Sequence, residues 1–154
     1  MNNTKSTIKC ILIGGIASGF ISLIPIINFL NLFFMMLMGL GGALSVYLLI
    51  KENENIKTSD ALLTGLLSGF VGGFILGIFM YIVILNITPE KIENIISTAK
   101  IFSSSIEDEM DMLFQSGNLK IMARKIIAFL IFFSMISGAI GGFISKSLFK
   151  KKDE

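Results

Sequence analysis

The chain has no histidine, no tryptophan, one cysteine and two prolines in 154 residues. Without histidine the usual nucleophile–base pairs cannot be built, and the acids lie in the polar connections. A lone Cys10 excludes a disulfide framework. Charge is also scarce: Asp, Glu, Lys and Arg make up 16% of the chain, against roughly 25% in soluble domains. The net charge of +2 is too small for an electrostatic grip on nucleic acid. No phosphate loop, metal-ligand spacing or dinucleotide fingerprint occurs. The expectation is a non-enzymatic chain with no cofactor, no bound metal and no nucleic-acid partner.

What the chain has in excess is apolar surface. Hydrophobic residues are 53% of it, with 15 glycines besides, and the mean hydropathy is +0.81. One soluble core of this size could not hide that much, so the composition implies an integral membrane protein with the lipid bilayer as its first partner. Crossing about 30 Å of hydrocarbon takes roughly 20 apolar residues. Between Cys10 and Ile50 the only ionisable side chains are Cys10 and Tyr47. That is two spans' worth, with polar and helix-breaking residues gathered at Pro25, Asn28 and Asn31. The pattern predicts an all-α, four-helix bundle forming a single transmembrane domain, with spans at about 8–27, 32–50, 61–85 and 122–148. Ser59 or Asp60 is placed to cap the third.

Lys5 and Lys9 precede the first apolar run, but no A-x-A-like cleavage site follows and a second span comes at once, so the first span is expected to stay. With four spans, the N-terminus, the 51–60 loop and the C-terminus share one side. They carry eight of the Lys and Arg residues against five on the other. This bias predicts a multi-pass protein of the cell membrane with both termini cytoplasmic. Cys10 then sits near the cytoplasmic end as a small buried hydrophobe, and Tyr47 and Tyr81 near span ends as interface anchors.

The 86–120 connection is patterned. Thr88-Pro89-Glu90 reads as a helix start, followed by Ile92, Ile95, Ile96 and Ala99 at helical spacing. Ser105 and Asp108 have capping-box spacing, followed by Ile106, Met110, Leu113 and Phe114, with a stop at Ser116-Gly117-Asn118. Two short amphipathic helices are expected. The second carries an acidic face of Glu107, Asp108, Glu109 and Asp111. That face is either a contact for a divalent cation or basic partner, or simply a solvated surface. The absence of a D-x-[DN]-x-[DN]-G loop favours the solvated surface.

Within the spans the small residues fall in rows. Gly65, Gly69, Gly73 and Gly77 recur at every fourth position, with Ser68 and Gly72 beside them. Ser134, Gly138 and Gly142 repeat the spacing in the fourth span, flanked by Ser137, Gly141 and Ser145. The first span has Gly14, Ser18 and Ser22, and the second Gly39, Gly41, Gly42 and Ser45. Lipid tails solvate Leu as well as a neighbouring helix does, so association relies on close backbone approach across small residues. Gly65, Gly69, Gly73, Gly77, Gly138 and Gly142 are therefore assigned to helix packing, the third span facing the fourth or a second copy. Pore lining is the weaker alternative, because only Ser and Thr would face the pore. Ser68 to Ile75 and Ser137 to Ile144 agree at six of eight positions, a match that so few residue types can also produce by chance.

The module Gly41-Gly42-Ala-Leu-Ser-Val-Tyr-Leu-Leu-Ile50, a charged loop, and Asp60-Ala-Leu-Leu-Thr-Gly-Leu-Leu-Ser-Gly-Phe-Val-Gly-Gly-Phe-Ile75 resembles small prokaryotic four-span membrane proteins of families of unknown function. The resemblance lies in layout: a hairpin, a polar loop, a glycine-rich third span, an acidic connection and a fourth span with a lysine tail. It implies a fold and a location and carries over no activity or catalytic residues. The functional expectation is a structural or accessory membrane protein acting through helix–helix contacts, with itself as a homo-oligomer or with another membrane protein. The alternative is a small channel or transporter subunit for ions or an uncharged solute.

Overall fold

The computed structural model describes residues 2–24, 27, 31, 35–53, 56–86 and 119–149. They form four helices and no strand: α1 Asn2–Ile21, α2 Met36–Glu52, α3 Thr58–Leu85 and α4 Leu119–Phe149. Both expected amphipathic helices of the 86–120 connection, and the acidic face at Glu107, Asp108, Glu109 and Asp111, lie outside the described residues.

Each helix is bounded by local chemistry more than by hydropathy. α1 starts at Asn2, ahead of the apolar run, and its first turns carry Thr4, Lys5 and Lys9. It ends at Ile21, earlier than the expected 27. Leu23 N donates to Phe20 O (3.1 Å) and Ile24 N to Ile21 O (3.2 Å), the three-residue tightening that closes a helix. Pro25 follows and steers the residue before it away from helical geometry.

α2 starts at Met36, later than the expected 32. Met35 has left-handed backbone angles (φ 54°, ψ 44°), the only positive φ at a non-glycine residue among those described. Asn31 supplies what this turn needs. Its Oδ1 accepts from the Leu37 N–H (3.2 Å), its backbone carbonyl accepts from Met35 N (3.0 Å), and its Nδ2 donates to Ser22 Oγ (2.9 Å). One amide thus joins the end of α1 to the start of α2.

α3 begins at Thr58, so Ser59 and Asp60 lie inside its first turn. Asp60 Oδ2 accepts from Lys57 N at 3.2 Å, reaching back three residues as the acid of a capping box does. The same carboxylate faces the positive end of the helix dipole. α4 begins at Leu119, earlier than the expected 122.

The chain divides into two compact units, Met1–Gly77 with Phe129–Glu154, and Ile78–Ala128. The second contains, among described residues, only the last turns of α3 and the first of α4. In the first unit α1 pairs antiparallel with α2 (Gly14 beside Gly41 and Ser45) and parallel with α3 (Gly15 beside Ser68, Gly19 beside Gly72). α4 pairs antiparallel with α3 (Gly142 beside Ala61, Gly73 beside Ser134) and parallel with α2 (Gly39 beside Ser137). Met38 of α2 reaches Gly72 of α3 between them. At the end where α2 stops and α3 starts, Lys146 Nζ donates to Thr58 Oγ1 (2.7 Å), and the Tyr47 and Phe149 rings meet at 4.8 Å.

This unit is inverted relative to a water-soluble domain. Its buried side chains are mostly small or hydroxylated, including Ser18, Ser22, Ser45, Thr64, Ser68, Ser134 and Ser145, while Phe20, Leu63 and Phe132 are each more than half exposed. Among the described residues, two helices are long and apolar enough to cross a membrane, Thr58–Leu85 and Ala123–Phe149. α2, with 17 residues, is shorter, and α1 opens on polar residues.

Asn31→Ala removes the side-chain bonds to Leu37 N and Ser22 Oγ. It is expected to lower stability by about 1–3 kcal/mol, about 1 kcal/mol for each bond and more where Ser22 Oγ stays dry. Thermal unfolding followed by circular dichroism checks this. A midpoint equal to that of the parent would show that the turn does not depend on the amide.

Candidate functional site

The densest chemistry in the first unit is a seam of backbone against backbone. On α3, a methyl group added at Gly65 would press into the Gly138 carbonyl and lie 3.0 Å from Gly142 Cα. At Gly69 it would press into the Ser134 carbonyl and lie 3.2 Å from Gly138 Cα. At Gly73 it would lie 2.7 Å from Ser134 Cβ and 3.2 Å from Ile131 Cα. From the α4 side, a methyl at Gly142 would sit 2.6 Å from the Ala61 carbonyl, and one at Gly138 would press into the Gly65 carbonyl. The structure thus brings Gly65, Gly69, Gly73, Gly138 and Gly142 onto one interface between α3 and α4. Gly77 is buried at the last position of the first unit.

The seam extends to the other two helices. A methyl at Gly42 would meet the Gly138 carbonyl, and one at Gly141 the Gly39 carbonyl. On the far side a methyl at Gly14 would lie 2.8 Å from Ser45 Cβ and 2.9 Å from Ser68 Oγ, and one at Gly15 2.7 Å from the Ser68 carbonyl. At Gly19 the fit is looser, with Ile75 Cβ at 3.1 Å and the Gly72 carbonyl at 3.2 Å. Spacing in sequence shows which residues share a face. It does not show that Gly138 serves two helices, α2 and α3, at once.

The hydroxyls along the seam divide into three groups. Ser18 Oγ donates to Gly15 O (3.1 Å), Ser22 Oγ to Ser18 O (2.8 Å) and Ser45 Oγ to Gly42 O (2.8 Å), each returning its proton to its own helix. Ser137 Oγ donates across to Met35 O at 2.9 Å. Ser68, Ser134 and Ser145 are buried with no hydrogen-bond partner for Oγ among the described residues. Ser134 Oγ lies 2.8 Å from where a Gly73 Cβ would stand, and Ser68 Oγ 2.9 Å from that of Gly14. Both oxygens therefore face glycine Cα–H groups, the arrangement of weak Cα–H···O contacts at close helix interfaces.

A cavity of about 370 Å³ lies between the start of α1, the end of α2 and the start of α3. Thr4, Thr7, Asn53, Asp60 and Thr64 contribute its polar lining and Leu49 part of its apolar wall. Sequence reading missed this grouping, since its residues come from three separate segments with no shared motif. Cys10 is buried as a free thiol. Among the described residues no cluster of His, Cys, Asp or Glu could hold a metal ion. No protein family, curated protein or solved structure matches this chain.

Alanine at Gly69 or Gly138 forces a methyl into a carbonyl of the opposing helix. Each is expected to cost about 1–3 kcal/mol, the usual penalty for overpacking a fitted interior. Gly19→Ala meets atoms beyond 3 Å and gains helix propensity, so it should stay within about 1 kcal/mol of the parent. Thermal midpoints of the three variants in one detergent check the ranking; equal midpoints would mean that the seam is not tight.

Proposed function

We propose that this chain is a four-span integral membrane protein of the cell membrane with a structural or accessory role, acting through its outer surface on neighbouring membrane helices. The observation that carries the reading is the inverted packing: glycine and serine line much of the interior beside a few residues such as Met38 and Val46, while large apolar side chains stand exposed on all four helices. In water such a surface would promote aggregation; in hydrocarbon it is the ordinary surface.

All four helices enter the span count for a physical reason. α1 and α2 are bound to α3 and α4 by the same backbone contacts, so two membrane-crossing helices would carry the other two with them. α2, at roughly 25 Å by helical rise, falls short of about 30 Å of hydrocarbon by an amount that local thinning accommodates. The antiparallel sequence of contacts supports both termini on one side, and the lysine bias supports the cytoplasmic side.

The closed seam favours an accessory role over a channel or transporter subunit. Where Gly65 and Gly69 approach the backbone of α4, the space is narrower than a methyl group, so a conduit between those helices has no room. An outward face free for partners remains, since the glycines are used within the bundle.

Two measurements test the reading. In a Cys10→Ala background, single cysteines at positions 4 and 51 should react with an impermeant maleimide from one face of sealed vesicles, and a cysteine at position 86 from the other. Labelling of all three from one face would overturn the four-span arrangement. Vesicles containing the purified protein should stay tight to small ions and uncharged solutes; a protein-dependent leak would replace the accessory role with the channel reading.

A further inference from the structure

We infer that α1 carries a binding site for an anionic phospholipid, with Lys5 and Lys9 holding the headgroup and the strip below them holding an acyl chain. The inference rests on the membrane reading above and goes beyond it by naming the ligand class.

Lys5, Ile8, Lys9, Leu12, Ile13, Ile16 and Ala17 line one open concavity, of about 600 Å³, along the outer face of α1. Lys5 and Lys9 are one turn apart and line the same concavity, so both side chains lie on one face of the helix. Leu12 and Ile16 continue the line at helical spacing, with Ile8 and Ile13 beside it. These four side chains are 52%, 43%, 43% and 42% exposed for Ile8, Leu12, Ile13 and Ile16. The buried face of the helix, Cys10, Gly14 and Ser18, points the opposite way. From Ile8 to Ala17 the strip is roughly 13 Å long by helical rise, comparable with the upper part of an acyl chain.

Charge selects the occupant. Two other lysines at this end have partners in the protein, Lys51 over the Tyr47 ring at 4.7 Å and Lys146 donating to Thr58. Lys57 is exposed but lies outside this apolar concavity. Lys5 and Lys9 are exposed, and no carboxylate among the described residues pairs with either. Two unpaired cations one turn apart, directly above a continuous apolar strip, match a phosphodiester joined to a hydrocarbon chain. A zwitterionic lipid would bring its own ammonium against them. A second copy of this chain would set Lys5 and Lys9 near like charges in a symmetric contact, so the lipid is the favoured occupant.

The test uses the full chain extracted from vesicles of phosphatidylglycerol and phosphatidylcholine, with native mass spectrometry reading the ratio of the two lipids retained. The parent should retain phosphatidylglycerol in excess of its share in the vesicle. Lys5→Gln/Lys9→Gln should lower that excess by about fivefold for each lysine removed. Lys5→Arg/Lys9→Arg should keep it, and Lys57→Gln, which removes a charge near the same end without a strip below it, should leave it unchanged. Overturning results are an unchanged ratio in the double glutamine variant, an equal loss in Lys57→Gln, or a dimer without bound lipid that the double glutamine variant dissociates. Carbonate washing separates this from the parent reading. A chain released from membranes by the wash would refute the spanning arrangement itself, whereas a retained chain with no lipid preference refutes only the site.

Discussion

Contact between one helix backbone and another, made possible by the absence of a Cβ, is the constraint from which the rest of this structure follows. In the membrane placement proposed above, no hydrophobic drive separates a helix–helix contact from a helix–lipid one, so stability must come from contact quality. Dispersion decays within fractions of an ångström, and only glycine allows Gly138 to lie against Gly65 and Gly69 while also facing Gly42. In water the same glycines would weaken the helices by about 1 kcal/mol each. In a setting where unpaired peptide groups have no water to bond, that helical cost is small beside the cost of unfolding locally.

The seam dictates where polarity can go. With backbones this close, an interior side chain has to be small, and serine is the polar residue that fits. Ser18, Ser22 and Ser45 satisfy themselves on carbonyls of their own helix, so they contribute compactness without specifying a partner. Ser137 and Asn31 differ, because their bonds cross to another segment and fix where α2 begins. Left-handed Met35 sits between these two anchors, its carbonyl accepting from Ser137 Oγ and from the N–H groups of Met38 and Gly39. A strained residue is tolerable where the groups around it hold it from both sides.

The helical class was legible because uninterrupted apolar runs leave few alternatives to helices. The helix limits were less so. Hydropathy marks where a chain is apolar, whereas α1 begins among polar residues at Asn2 and α2 waits for the Asn31 turn to finish before starting at Met36. Asp60 shows the same gap: its suitability for a helix start is visible in sequence, but its position inside the first turn depends on a hydrogen bond to Lys57 N. The four-residue glycine spacing identifies a bare face and leaves its occupant open. What α3 meets there is set by long-range pairing with α4, and the cavity formed by Thr4, Asn53 and Asp60 depends on three helices arriving at one end.

One consequence joins the interior to the surface. A bundle that uses its glycines for its own closure presents many large side chains outward, so in the reading proposed above recognition falls to the few positions where charge meets that surface. α3 and α4 offer long apolar faces, and Lys51 and Lys146 are engaged by neighbours. α1 differs because its polar start extends the helix past the apolar run, carrying Lys5 and Lys9 above exposed Leu12 and Ile16 on the face turned away from the seam. The helical period that turns Gly14 and Ser18 toward α2 therefore also turns those lysines outward, so the packing face and the charged face of α1 are fixed by the same register.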